Sequence, residues 1–401
     1  MRVLNVGQNY YISGGSDRYL FSLAQLLENK GHCVIPFSAN NTKNVASIYD
    51  RYFPTSANFE QPKFIDAFRY IYSFPARSHI SKLLKYEDVD IAHLHIYYGK
   101  ITSSVLAPLQ RHGIPIVQTL HEYKLICAVH SLYSNGHICE DCEGTKYYRS
   151  IVNRCNRGSL VRSGLSAIES YVSRWLGGVD KVDHFIAVSN FLRDKVVEYG
   201  IPPEKVTVVH NFIDCQGIEP SPSPGGYFLY FGRIERNKGI FTLLRAMQLS
   251  GLAIPLFMAG EGRALNEAKA IVEKEGISNV HFVGFKSGDQ LAQLIRGAIC
   301  TVAPSELYET FGLTLIESFA HGRPVVASRI GGMTEVVSDG QDGFLFEPGN
   351  AEELADHMLW FSKHPTEAVE MGMSGRKKIE SKFSPEEHYQ ALMNVYEKVL
   401  S

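Results

Sequence analysis

Short apolar segments alternate with helical periodicity along the chain, and the alternation stops once and starts again. Val3 to Val6 reads as a strand, a Gly-containing loop follows, and Gly15 to Asn29 carries Leu20, Leu23, Leu26 and Leu27 on one helical face. That helix stops at Lys30-Gly31, and His32 to Phe37 resumes as a strand. Ile91 to Leu94, Ile116 to Thr119, Phe185 to Val188 and Val206 to Val209 continue the series, all short and apolar, as parallel strands covered on both faces must be. Residues 216–226 hold three prolines and three glycines, which neither a helix nor a central strand accepts, and read as a linker. The rhythm restarts with strands Tyr227 to Phe231, Pro255 to Met258, Val280 to Val283, Cys300 to Val302 and Val325 to Ala327, and with helices from Ile240, around Gln290 to Arg296, and from Leu313 to His321. The expectation is α/β: two Rossmann-like, doubly wound parallel-sheet domains over 1–215 and 227–383, with a helix over 384–401 packing back on the first. Two such sheets facing across a cleft turn their strand ends and helix N-termini toward one ligand, for which phosphate is the natural charge.

Composition narrows the partners. Forty basic and 42 acidic residues in 401 leave a net charge of −2, so general attraction to nucleic acid is not supported. The first part carries 23 basic and 19 acidic residues to Cys215, the remainder 17 and 23, so the positive bias lies in the N-terminal half. Met1 to Gly7 lacks the basic start and long apolar run of an export signal, and no uninterrupted apolar run of spanning length occurs, so a cytoplasmic protein is expected.

The most specific motif runs from Pro304 to Glu317. Glu309 lies in a loop and Glu317 about a turn into a helix, eight positions on. Gly312 opens that helix without a side chain, so the backbone N–H groups of Gly312, Leu313 and Thr314 can point at an anion brought close. Ionised Glu309 and Glu317 accept several hydrogen bonds each and suit hydroxyl groups on either side of a diphosphate. An ordinary helix start with acidic residues favoured by the dipole is the plain alternative. A second loop, Gly232-Arg233 to Lys238-Gly239, leaves the first strand of the second domain, and two cations there suit a departing diphosphate.

These loops, with Gly14-Gly15 after the first strand, Gly331-Gly332-Met333-Thr334-Glu335 and Gly340 to Gly343, resemble glycosyltransferase family 4, retaining enzymes of GT-B architecture. The resemblance implies transfer of a sugar from a nucleotide sugar, UDP and glucose first, to a glycan or lipid-linked acceptor in polysaccharide assembly. It assigns Arg233 and Lys238 to the diphosphate, Glu309 to the sugar hydroxyls and Glu317 to the ribose. Phe311, Gly312, Leu313 and Thr314 touch sugar and phosphate through backbone. Gly15 belongs to a loop over the donor, Gly284, Phe285 and Lys286 to the base, and His121 to the anomeric centre. The implied mechanism is front-face substitution without a catalytic metal or other cofactor. A nucleotide-sugar epimerase and a non-catalytic nucleotide-sugar binder are the rival classes.

Two features stand outside that reading. Cys127, Cys139, Cys142 and Cys155 have a central C-x2-C flanked by single cysteines, open to a structural zinc, to disulfides or to free thiols, with His130 and His137 as substitute ligands. From Lys146 to Arg174 six basic residues and one acid, Glu169, are interleaved with Leu160, Leu165, Ile168, Tyr171, Val172 and Trp175. This is either a peripheral membrane contact or a solvated helix face. Asp88-Val89-Asp90 has the look of a metal motif but precedes a strand directly and reads as its solvated start.

Overall fold

Parallel strands form where the apolar runs lie. In a computed structural model describing residues 1–59, 61 and 63–401, β1 (Arg2–Val6), β2 (Cys33–Phe37), β3 (Ile91–Leu94), β4 (Ile116–Leu120), β5 (His184–Ala187) and β6 (Val206–Val208) pair as one sheet in the order β2-β1-β3-β4-β5-β6. A second sheet has β7 (Tyr227–Phe231), β8 (Leu256–Ala259), β9 (Val280–Gly284), β10 (Ala298–Ala303), β11 (Val325–Ser328) and β12 (Gly343–Phe346), ordered β9-β8-β7-β10-β11-β12. Pairing in both sheets is parallel. Each order reverses direction beside its first strand, the doubly wound arrangement.

The chain divides into two compact units. Unit 1 is Met1–Asn135, Cys139–Val209 and Tyr389–Ser401, and unit 2 is Gly136–Ile138 and His210–His388. The irregular segment 216–226 is held to unit 2: Arg376 donates to the Ile218 carbonyl (2.8 Å), Arg323 donates to Ser221 Oγ (2.6 Å), and the Ser221 amide donates to the His321 carbonyl (3.0 Å).

Helix α1 (Gly15–Asn29) buries Leu20, Leu23, Leu26 and Leu27, and ends where Gly31 takes φ +81° and donates to Glu28, with His32 donating to Leu27. Further elements of unit 1 are α2 (Phe64–Ile71) and α3 (Leu160–Trp175); α4 (Ile240–Ser250) and α5 (Leu313–Ala320) flank the second sheet. In unit 2, Ile240, Leu243 and Met247 of α4 pack with Phe228, Met258 and Val302 of the strands in one buried cluster. The last helix, α6 (Pro385–Leu400), brings Tyr396 into unit 1, where its hydroxyl hydrogen-bonds His93 (2.7 Å). Strand β12, four residues long, and helix α2, eight residues long, were not foreseen. Asp90 accepts from the Arg2 amide (2.7 Å) just before β3, so the Asp88-Val89-Asp90 segment does serve a strand start.

Buried histidines make the fold acid-sensitive. His184, bonded to Thr207 (2.8 Å), and His388, bonded to the His210 carbonyl (2.7 Å), are pulled by burial from 6.5 to about 4. Unfolding returns both to ordinary titration, so the unfolded chain binds more protons between about 4 and 6.5, and stability must rise with pH across that window. Each group contributes a slope of up to ~1.4 kcal/mol per pH unit. Chemical denaturation should therefore show a lower midpoint at pH 5 than at pH 7, with a smaller difference in His184→Gln. Equal midpoints at both pH values in the native sequence would contradict this account.

Candidate functional site

Because every strand of the second sheet is parallel, the loops leaving β7, β9, β10 and β11 gather at one edge of unit 2. They carry Arg233, Gly284 to Lys286, Glu309 and Gly331-Gly332 respectively. Lys238, in the short turn before α4, forms an ion pair with Glu309 Oε1, and the Ser305 hydroxyl donates to the same oxygen. Burial alone would raise the Glu309 carboxyl, but Lys238 together with Ser305 and Arg233 outweighs it and holds the group below the ordinary range. Glu309 is therefore an ionised acceptor at neutral pH.

Glycines let these loops touch. Gly239, at φ +67°, lies so close to the Pro304 carbonyl that a Cβ would sit 1.7 Å from its oxygen, and the Glu306 amide donates to Asn237 (3.0 Å). Thr242 Oγ1 donates to Glu306 Oε1 (2.5 Å). On the other side, a Cβ at Gly331 would stand 2.3 Å from the Glu309 carbonyl oxygen, which accepts from the Gly332 amide at 2.8 Å. The Glu309 loop is thus clamped between two backbone segments. Immediately after it, Phe311 is buried and Gly312 takes φ +102° at the start of α5, which no side chain caps. The first amides of α5, at Leu313 and Thr314, stand beside the Glu309 loop, and Glu317 lies in the next turn. Gly284 closes β9 at φ +73°, followed by Phe285, which is two-thirds exposed (67%).

In unit 1, His121 follows the end of β4, and a histidine ladder lies beneath it. The rings of His93 and His95 stack at 4.4 Å, and those of His95 and His121 at 5.4 Å, with Tyr19 edge-on to the last two. Asn5 Nδ2 donates to the Leu20 carbonyl (3.3 Å), which turns Asn5 Oδ1 toward His95 Nε2 (2.8 Å). His95 Nε2 must then carry the proton. Burial, with His93 and His121 nearby, pulls His95 well below 6.5, so it is neutral and its Nδ1 accepts. The partner at 3.2 Å is His121 Nε2, which consequently donates. The sequence singles out His121 as a candidate but not the histidines beneath it, although two histidines one residue apart in His93-Leu94-His95 mark one face of a strand.

Gly15 opens α1, exposed, just after a loop held by Asp17, which accepts from the Ser13 amide (3.0 Å) and hydroxyl (2.5 Å). Cys127, Cys139, Cys142 and Cys155 lie within unit 1, none of them joined in a disulfide. Burial pushes the Cys142 thiol up to about 12, and the three other cysteines add to the rise. Among the described residues no group of three or more His, Cys, Asp or Glu side chains is arranged to hold a metal ion.

Two parallel α/β units of this kind are the GT-B architecture. A family model described as Glycosyltransferase Family 4 matches residues 13–216, just over half of the chain, and one described as Glycosyl transferases group 1 matches 216–378. The chain belongs to this glycosyltransferase family. It is 28% identical over 230 residues to the D-rhamnosyltransferase WbpZ of Pseudomonas aeruginosa, covering 53% of this chain and 58% of that protein. An uncharacterized glycosyltransferase of Methanocaldococcus jannaschii is 27% identical over 54% of the chain and 60% of its own length, so the matched region spans about three fifths of these relatives. Glycogen synthase of Mycobacterium tuberculosis is 27% identical, covering 77% of the chain and 68% of that enzyme. In fold, a glycosyltransferase from Rickettsia africae aligns with a TM-score of 0.69 at 20% identity, covering 100% of this chain and 98% of that one. Anabaena HepE, solved with UDP-glucose, aligns at 0.70 and 17% identity, covering 99% and 100%.

The clamp on Glu309 can be tested without any substrate. Gly251 ends α4 at φ +58° with nothing within 4 Å of a Cβ, whereas Gly239 combines φ +67° with the Pro304 contact. Gly251→Ala should cost ~1–2 kcal/mol, the left-handed conformation alone. Gly239→Ala should cost clearly more, because backbone must move. Equal losses in denaturation experiments would show that the Pro304 contact yields freely.

Proposed function

We propose that this chain is a retaining hexosyltransferase that moves glucose from UDP-glucose to a glycan or lipid-linked acceptor in polysaccharide assembly. The observation that carries the reading is Glu309, kept ionised by Lys238 and Arg233 beside an α5 start that no side chain caps. A carboxylate next to cations and backbone amides suits a ligand that is hydroxylated at one end and anionic at the other. The HepE complex with UDP-glucose supports the donor, and the rhamnosyl- and glucosyl-polymer relatives support a hexose.

In this reading unit 2 binds the donor. Glu309 accepts from sugar hydroxyls and Glu317, of the Glu-x7-Glu pattern, from the ribose. Phe311, Gly312, Leu313 and Thr314 meet sugar and phosphate through backbone, and Gly284, Phe285 and Lys286 meet the base. Arg233 and the Lys238 ammonium, which has donors beyond the one given to Glu309, stabilise the diphosphate as its charge develops. The bond from anomeric carbon to phosphate oxygen breaks while the acceptor oxygen bonds on the same face, and the leaving phosphate oxygen takes the acceptor proton. Unit 1 serves the acceptor, with His121 as its candidate catalytic group and Gly15 in a donor-covering loop. No catalytic metal is required. A structural zinc at the four cysteines is a separate proposal that requires their side chains to rearrange, since no three of them are set to hold an ion as they stand; one zinc per chain in elemental analysis would support it, and none in reduced protein would overturn it.

A donor panel, read as nucleotide diphosphate released with and without acceptor, tests the reaction class; an epimerase would instead return an altered sugar without acceptor. Glu309→Gln should mainly lower kcat, and Glu317→Gln should mainly weaken nucleotide binding. Arg233→Ala and Lys238→Ala should each lower transfer on the order of a hundredfold or more, while chelator leaves the native enzyme active. Strict dependence on added divalent ion would overturn the role given to the two cations.

A further inference from the structure

Helix α3 is inside out. The residues it buries are Ser163, Ser166, Ala167, Glu169, Ser170 and Ser173, while Val161 (74% exposed), Ile168 and Trp175 (85%) face outward, recurring every seven residues along one stripe. A helix that folded only to bury its apolar face would be rolled the other way. The roll is set from below: Glu169, fully buried, pairs with buried Lys124 (2.6 Å), whose ammonium also donates to Ser170 Oγ (2.8 Å) and the Ala128 carbonyl (2.7 Å). Rolling the helix the other way would carry Glu169 outward and strand the buried Lys124 ammonium, and that cost opposes the roll that would cover the apolar stripe.

Its neighbour repeats the pattern. Helix α2 packs against α3, with Tyr70 OH bonded to Ser166 Oγ (3.3 Å), and it buries Asp66 while Phe64 (84% exposed), Ile65 and Phe68 face out. Around these two helices Lys146, Arg149, Arg154, Arg157 and Arg162 are exposed, whereas the one acid of that stretch, Glu169, is buried and neutralised. Among the described residues of unit 2, by contrast, the exposed large hydrophobics are Leu249 and Phe285.

We propose that the outer face of α2 and α3 is a docking surface for an anionic bilayer, with the aromatic and aliphatic side chains entering the headgroup region and the cations meeting lipid phosphates. Trp, Phe and aliphatic groups ringed by Lys and Arg, with no exposed acid on α3, are the composition of an interfacial helix surface. A second copy of the chain fits this face poorly, because a twofold contact would set the same cations against one another. The inference rests on unit 1 alone and not on the transfer reaction.

The test is co-sedimentation of the full chain with phosphatidylcholine vesicles, with and without phosphatidylglycerol, at low and high salt. Binding should require phosphatidylglycerol and fall on the order of tenfold as salt is raised. Ile168→Glu with Trp175→Glu, and separately Arg149→Gln with Arg162→Gln, should each weaken it on the order of tenfold or more, with thermal unfolding unchanged. In Trp360→Phe protein, emission from Trp175 should shift to the blue on binding. Absence of binding to anionic vesicles, equal binding to neutral ones, or a solution dimer that Trp175→Glu dissociates would each overturn the proposal.

Discussion

Parallel strand pairing is the constraint from which the site in unit 2 descends. Because β7 to β12 all run the same way, the residues after Phe231, Gly284, Ala303 and Ser328 leave the sheet at one edge, however far apart they lie in sequence. Gathering alone would leave mobile loops. Close backbone approaches at Gly239 and Gly331, each impossible with a Cβ, turn them into one assembly around Glu309. The ion pair with Lys238 then completes a site whose charge is set by neighbours from a different loop.

The two units hold their ionisable groups in opposite ways. Glu309 stays charged because cations and a hydroxyl compensate for lost water, whereas His95 is neutral because burial, with His93 and His121 beside it, disfavours its charged form. A compensated carboxylate presents a fixed acceptor. The neutral His95 has its tautomer fixed by Asn5, and it passes that orientation on by accepting from His121. Fixed charge in one unit and a fixed tautomer in the other are two forms of preorganisation.

Helix α3 shows how a buried ion pair can choose conformation rather than add stability. Lys124 is raised despite its burial because Glu169 lies against it, and the pair commits the polar side of the helix to the interior. The apolar stripe is left outside as a consequence. The serines that line the buried side are small enough to allow close packing and can bond to Tyr70, Asn156 and Lys124.

The strands, the two-sheet architecture, helix α1 and the Glu309 to Glu317 segment were legible in the sequence, because period, punctuation by glycine and proline, and capping act over a few neighbouring residues. Arg233 and Lys238 could be placed after a strand for the same reason. What pairs with them could not: Ser305, the Pro304 contact of Gly239, and the Asn5-His95-His121 relay join residues brought together only when strands far apart in the chain become neighbours. The amphipathic pattern of α3 was equally plain, yet which face turns inward was not, since periodicity defines a stripe without its direction. Only the tertiary structure decided that, by placing Lys124 opposite Glu169, so that turning the stripe inward would leave a buried ammonium without its partner.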